Sequence, residues 1–298
     1  MSKEEKIQQA ISNKLYTDSK GSVRITPTQL KSIGQRDILS AEILDKSRNL
    51  KAYFEEFEEI VTYIDDIRNP YGIYKFMKDY ALANGKQHKK KITIETKGHD
   101  GSVIREEKVV DDYYEPNSPD TYVIVIVDHA KLVQPEQGKD LWNTIADLSS
   151  NYFVQMRNKW GYIPVLIQQQ AASQENIEHA RFDKLKPSLD GLGDNKTTQQ
   201  DANLILGLFS PFRHKIPMYE GYSVQRFKDH IRFLEILGGR EGGAGIVSPL
   251  YFDGAVNFFQ ELPAPSDEAT LSKIYKAIEN IETMNKYRDW ETDRKSVV

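Results

Sequence analysis

A chain of 298 residues, 28% charged and 39% apolar, has the composition of a soluble globular protein and is long enough for one large α/β domain or two smaller ones. Its formal net charge of −4 excludes a global basic field, so any contact with nucleic acid has to come from a local patch. There is no cysteine, which excludes disulfides and thiolate metal sites, and the longest apolar runs, Val123–Val127 and Leu204–Phe209, fall far short of the ~20 residues of a membrane span. The polar start, Met1-Ser2-Lys3-Glu4-Glu5-Lys6, lacks the apolar core of a signal peptide, so a cytoplasmic protein with no membrane contact is expected.

The first segment, 1–85, reads mainly as helices. Ile7, Ala10, Ile11 and Leu15 share one face, and Ser40 is placed to cap a helix bearing Ile43, Leu44, Leu50, Phe54 and Phe57. Val61–Ile64 has the look of a short strand, and Pro70 suits the first turn of the next helix, where its missing N–H costs nothing. Segment 86–120 is different: Ile92-Thr93-Ile94 and Val103-Ile104 flank Gly98-His99-Asp100-Gly101, which predicts a solvated β-hairpin insertion. Its Lys89-Lys90-Lys91 run reads as a hairpin edge in solvent more readily than as a phosphate contact. From 121 to 263 the pattern is that of a mostly parallel sheet with antiparallel edge strands. Tyr122–Val127 is a β-branched run expected to be buried on both faces, followed by a helix through Leu141, Ile145, Leu148, Tyr152, Met156 and Trp160. Strands follow at Ile163–Ile167, Leu204–Phe209, Ile231–Leu237, Ile246–Phe252 and Val256–Phe259. Leu271, Ile274, Ile278 and Ile281 mark a last helix within 264–287. The string at 288–298 departs from that pattern, resembles a translated sequencing adapter, and is set aside.

Four features carry chemistry, each beside a plainer reading. Asp128 ends the first buried strand, the edge where open α/β sheets bind nucleotides, and a carboxylate there can hold the water shell of Mg²⁺; alone, a turn or cap is the commoner role. Gln168-Gln169-Gln170 ends the second strand, where an uncharged amide can sense a γ-phosphate without competing for the metal; alone, it is a polar strand end. The Gly-containing stretch from Arg181 through Lys184, Lys186 and Lys196 is locally basic and suits a loop following single-strand phosphates, or an ordinary solvated loop. Arg240 sits on a glycine-rich turn between two strands, from which it can reach a neighbouring subunit's phosphate site as an arginine finger, or lie idle on a hairpin turn.

The order of these features is more specific than any one of them. Strand-Asp, strand-Gln, a Lys186-Pro187 loop with Gln200-Asp201-Ala202, and strand-Gly-Gly-Arg240 resemble the core of DnaB-like replicative helicases, phage-encoded members in particular, as does the ending Leu250–Leu262. The resemblance covers roughly residues 1–263 and is strongest from Tyr122. It implies a RecA-like fold of the P-loop NTPase type, ATP and Mg²⁺, a homo-hexamer translocating on single-stranded DNA, contact with a primase or loader, and a bacterial or infected-host cytoplasm. It makes Asp128 the metal-holding Walker B acid, Gln170 the γ-phosphate sensor and Arg240 the finger in trans. Arg181, Lys184, Lys186 and Lys196 would line the DNA channel.

Three departures qualify it. His129 replaces the family's usual Tyr, and Gly238 stands where a Lys usually precedes the finger, which puts one of two trans cations in doubt. No Gly-x-x-x-x-Gly-Lys-Ser/Thr occurs, so the chain has no phosphate cradle of its own. Met1-Ser2-Lys3-Glu4-Glu5 resembles the stretch after the family's second strand. The expectation is therefore a fragment lacking the first strand and phosphate loop, inactive alone. A RecA-like recombination ATPase and a non-catalytic DNA-binding or assembly subunit remain the alternatives.

Overall fold

The structure, a computed structural model, describes residues 3–31, 39–97, 103–169, 185–189, 191 and 196–295, with side chains described as far as 283. The chain divides into two compact units, each built from separate stretches of sequence. The first comprises Met1–Tyr63, Glu175–Pro187 and Leu204–Val298, and the second Ile64–Gln174 and Ser188–Asn203. The stretch 121–263, read from sequence as one core, thus contributes to both.

The first unit is organised by a four-stranded antiparallel sheet. Strands β5 (Leu204–Phe209), β8 (Ile231–Gly239), β9 (Val247–Asp253) and β10 (Phe258–Glu261) lie in the order β10-β9-β8-β5. Between β5 and β8 in sequence, the two-residue strands β6 (Met218–Tyr219) and β7 (Tyr222–Ser223) form a small hairpin of their own. The expected strand at Val256–Phe259 starts two residues later, because Ala255 and Val256 belong to a turn over Asp253. Alternation sends Phe209, Ile231 and Phe233 to one face. There they meet Phe227, Leu271, Tyr275 and Ile278 in a closed core. Leu271, Tyr275 and Ile278 come from the last helix, which runs Glu268–Lys295, past the boundary at 287 expected from its apolar stripe. Helix α1 (Lys3–Asp18) buries Leu15, and Asn13 Nδ2 donates to the carbonyls of Val256 and Asn257 at 3.3 and 2.9 Å. Arg24 forms a bidentate pair with the fully buried Asp253, Nε to Oδ2 at 2.7 Å and Nη2 to Oδ1 at 2.8 Å. Helices α2 (Pro27–Leu30), α3 (Ala41–Asn49) and α4 (Lys51–Ile60) complete the N-terminal part, and the Ser40 side chain caps α3 by accepting from Ile43 N, as its position predicts. No strand forms at Val61–Ile64: the backbone is extended at Val61 but finds no ladder among the described residues.

The second unit begins with α5 (Pro70–Ala83), with Pro70 in its first turn. The hairpin is present, longer than its apolar pattern suggests: β1 (Gly85–Lys97) pairs with β2 (Val103–Pro116) over nearly its whole length. Gly85 allows the close approach at its root, where an added Cβ would lie 2.3 Å from the Tyr114 hydroxyl. Cross-strand pairs Lys90–Asp112 and Lys91–Glu107 use two of the three clustered lysines, which agrees with a solvated edge. Strands β3 (Ile124–Asp128) and β4 (Ile163–Ile167) form a parallel pair joined through α6 (Leu141–Asp147), a π-helical turn (Leu148–Phe153) and α7 (Val154–Trp160). Helix α8 (Lys196–Asp201) ends the unit.

Two expectations need correction. Strand β3 is covered on one face only: Val125 is buried among Met77, Ala81, Leu148 and Met156, while Ile124 and Ile126 are 58% and 62% exposed. And the strands do not form one sheet, since no ladder joins β4 to β5 among the described residues. A β-branched run shows that a strand can be buried on both faces. It does not provide what covers the second one.

Candidate functional site

Asp128 is the last residue of β3 and lies directly across the parallel ladder from Ile167. The pleat puts it on the open face, at the end of the row Ile124, Ile126, while Ile163, Val165 and Ile167 form the matching row on β4. The carboxylate is exposed, so a partly hydrated ion can reach it. Among the described residues no group of three or more His, Asp or Glu side chains could cage a metal. A single strand-end carboxylate fits Mg²⁺, which keeps most of its waters and takes other ligands from phosphates. The residues do not fit the phosphates themselves, for which the sequence offers no backbone cradle. His129, which follows Asp128, has its Nδ1 shielded from water with no hydrogen-bond partner among the described residues.

Strand β4 carries the glutamine tip beside this carboxylate. Gln168 and Gln169 continue directly from Ile167, and Gln170, the expected phosphate sensor, lies outside the described residues.

The basic loop is described in part. Arg181 and Lys184 lie outside the described residues. Leu185 is buried beside Phe209, and Pro187 packs on β5 where Gly207 leaves room: a Cβ there would come within 2.6 Å of the proline ring. Lys186, held between these two anchors, points into solvent. Lys196 opens α8, its side chain not among those described. Lys186 belongs to the first unit and Lys196 to the second.

Arg240, in the first unit, is exposed on the turn from β8 to β9. Ile236 N donates to Ile246 O at 2.9 Å and Gly245 N to Ile236 O at 2.8 Å, so the turn is closed at its base. Beyond that base Gly242 and Gly243 take φ of +94° and +84°, a region costly for other residues. The glycines therefore let the chain reverse tightly and hold Arg240 clear of the sheet. Gly238 lies in β8 opposite Ile205.

One polar cluster went unassigned in the sequence. Asp201, at the end of α8, accepts from Ser149 Oγ at 2.8 Å and Ser150 Oγ at 2.6 Å, both on Oδ2. Arg157 Nη1 donates to the Asp201 carbonyl and to Asn203 Oδ1, each at 2.9 Å. A sequence signal existed: an acidic residue closing a helix opposes the macrodipole and asks for a partner.

No protein-family model matches the sequence, and no curated protein matches it. Among solved structures the chain is similar to the ATPase domain of a DnaB-like phage helicase, with a TM-score of 0.60, 17% identity, and coverage of 88% of this chain and 72% of that one. At that identity the likeness shows the fold, a mixed α/β arrangement shared with an ATPase domain. Among the described residues no helix is long and apolar enough to cross a membrane.

Proposed function

We propose that this chain is the motor part of an ATP-dependent DNA helicase of the DnaB-like type, working as a homo-hexamer on single-stranded DNA, with the phosphate loop supplied from outside these 298 residues. The observation that carries the reading is the in-register parallel pair β3/β4, which sets Asp128 beside the start of the glutamine tip on one strand edge. The fold shared with an ATPase domain supports it. So does the apolar face that Asp128 terminates, because parallel strands in α/β proteins are covered on both faces. In this reading Mg²⁺ supplies charge neutralisation on the transferred phosphate. Asp128 orients the ion through its waters, Gln170 lies against the γ-phosphate, and Arg240 serves the adjacent subunit. Arg181, Lys184, Lys186 and Lys196 follow the DNA strand. The fold alone does not name a loader or primase partner.

Calorimetry with Mg²⁺ should detect no micromolar binding of ATP to the 298 residues alone, and such binding would overturn the reading. The finger is tested in a protein that also carries a Gly-x-x-x-x-Gly-Lys-Ser/Thr segment ahead of this chain. There Arg240→Ala should slow turnover by on the order of 10³ or more with little change in ATP affinity. Mixing Arg240→Ala with Asp128→Asn subunits should restore part of the activity, because some interfaces then combine a sound site with a sound finger. If subunits exchange and no activity returns, Arg240 does not act in trans.

A further inference from the structure

The Asp201 cluster is built in a way that a chance surface contact is not. Adjacent residues of a regular α-helix point about 100° apart and do not converge on one atom. Ser149 and Ser150 converge on a single carboxylate oxygen because they lie in the π-helical turn Leu148–Phe153, whose wider winding brings successive side chains closer in direction. Ser149 is buried, so its hydroxyl requires a partner. On the other side Asp201 closes α8, where a carboxylate is unfavourable beside the free carbonyls. Two hydroxyls on its oxygen offset that, and the Arg157 guanidinium caps its carbonyl. Three side chains of one helix thus grip the last turn of another.

The two helices have different duties in the proposed function. The helix with Ser149, Ser150 and Arg157 runs between β3, which ends in Asp128, and β4, which leads to the glutamines. Helix α8 begins at Lys196, the last basic residue of the loop assigned to DNA. We propose that Asp201 is a positioning residue: clamped by Ser149, Ser150 and Arg157, it fixes the stem of the DNA-facing loop to the helix that joins the two nucleotide strands. What the loop touches rests on the proposed function; the clamp itself rests on the contacts above.

The test uses the full chain in three forms, Asp201→Ala, Asp201→Asn and the double Ser149→Ala/Ser150→Ala, with two readouts. Amide exchange across Lys196–Asp201 should quicken by on the order of tenfold in the alanine and double-serine variants, since each removes hydrogen bonds to a charged group. It should stay near the parent in Asp201→Asn, which keeps an acceptor oxygen, and β3 amides should not respond in any of them. The second readout is affinity for a labelled oligothymidylate. Here charge and positioning predict opposite signs. Removing a carboxylate favours DNA by simple electrostatics, so Asp201→Asn should bind at least as tightly as the parent. Asp201→Ala should bind several-fold more weakly with an unchanged salt slope, because the number of phosphates neutralised stays the same.

Unchanged exchange in Asp201→Ala and in the double-serine variant would overturn the clamp. Tighter DNA binding in both Asp201 variants would overturn the positioning role, leaving Asp201 as a charge only. If exchange quickens but the parent chain does not bind the oligonucleotide, the clamp stands and the assignment of the loop to DNA falls. Should Asp201→Ala fail to fold, the double-serine variant, whose carboxylate is intact, carries both readouts.

Discussion

The antiparallel sheet of the first unit and the parallel pair of the second are written in the same residues, and each is covered on one side. On the first, Phe209, Ile231 and Phe233 disappear under Phe227 and the C-terminal helix, while Leu204, Leu206 and Leu208 on the other face of β5 stay more than half exposed. On the second, Val125 packs under α5 and α7, while Ile124, Ile126 and Ile163 face water. The four-stranded sheet still has a core able to stand by itself. Two strands and one covered face are close to the minimum that does. The chain therefore carries more sheet-forming apolar surface than its described residues cover, and the larger relative deficit lies in the unit that bears Asp128. Contiguous exposed apolar surface of this kind marks a place where something else packs.

The comparison breaks most sharply on paired substitutions. Phe233→Ala removes a fully buried ring from the closed core and should cost about 3–5 kcal/mol, read as a lower denaturation midpoint. Ile126→Ala, on the open face, should cost about 0.5 kcal/mol or less. Comparable costs at the two positions would mean that the β3/β4 face is covered in solution.

The contrast also explains what could be read in advance. Strands β4 and β5 were legible to the residue, because Ile163–Ile167 and Leu204–Phe209 are apolar runs bounded by glycine, glutamine or serine. The hairpin, the Ser40 cap and Pro70 were legible because turn and cap chemistry is local. Pairing was not. Whether β4 adjoins β5, or Val61–Ile64 finds a neighbour, depends on a partner strand that no local pattern identifies. Within the site, Asp128 and Arg240 could be picked out by their places at a strand end and a glycine turn. The Asp201 clamp could not, since it needs a π-helical turn about fifty residues away in sequence. An extra residue per turn leaves little trace in a stripe such as Leu148, Tyr152, Met156.

A second test compares anchors rather than faces. Within the first unit, the N-terminal segment is tied to β9 by Arg24 and Asp253, a bidentate pair with its carboxylate entirely out of water. Asp253→Ala leaves a mostly buried guanidinium unpaired and also removes the acceptor for Ala255 N at 3.1 Å. Breaking such a pair costs about 3 kcal/mol, and the loss should appear in thermal unfolding. Arg24→Met, which keeps the apolar stem, should cost at least as much, because it strands the more deeply buried partner. A cost below about 1 kcal/mol for both would mean that the N-terminal segment is only loosely attached to the sheet.

The smallest effect is expected on the hairpin arm, and its smallness is what matters. Lys90 Nζ lies 2.8 Å from Asp112 Oδ1, and Lys91 Nζ lies 3.8 Å from Glu107 Oε2, with all four side chains open to solvent. Exposed pairs of this kind contribute about 0–1 kcal/mol, and salt screens what remains. Lys90→Ala should therefore shift stability by roughly 0.5 kcal/mol or less. For DNA the same residue poses a sharper question. A lysine already matched by a carboxylate brings no net charge to a phosphate, whereas Lys186 points into solvent between Leu185 and Pro187. Replacing Lys89, Lys90 and Lys91 together by alanine should leave the salt dependence of oligothymidylate binding unchanged. Replacing Arg181, Lys184 and Lys186 should flatten it by roughly 0.7 for each phosphate that is no longer neutralised. If the hairpin triple flattens the slope instead, the DNA path runs along the arm, and the loop ending at Lys196 is an ordinary surface connection.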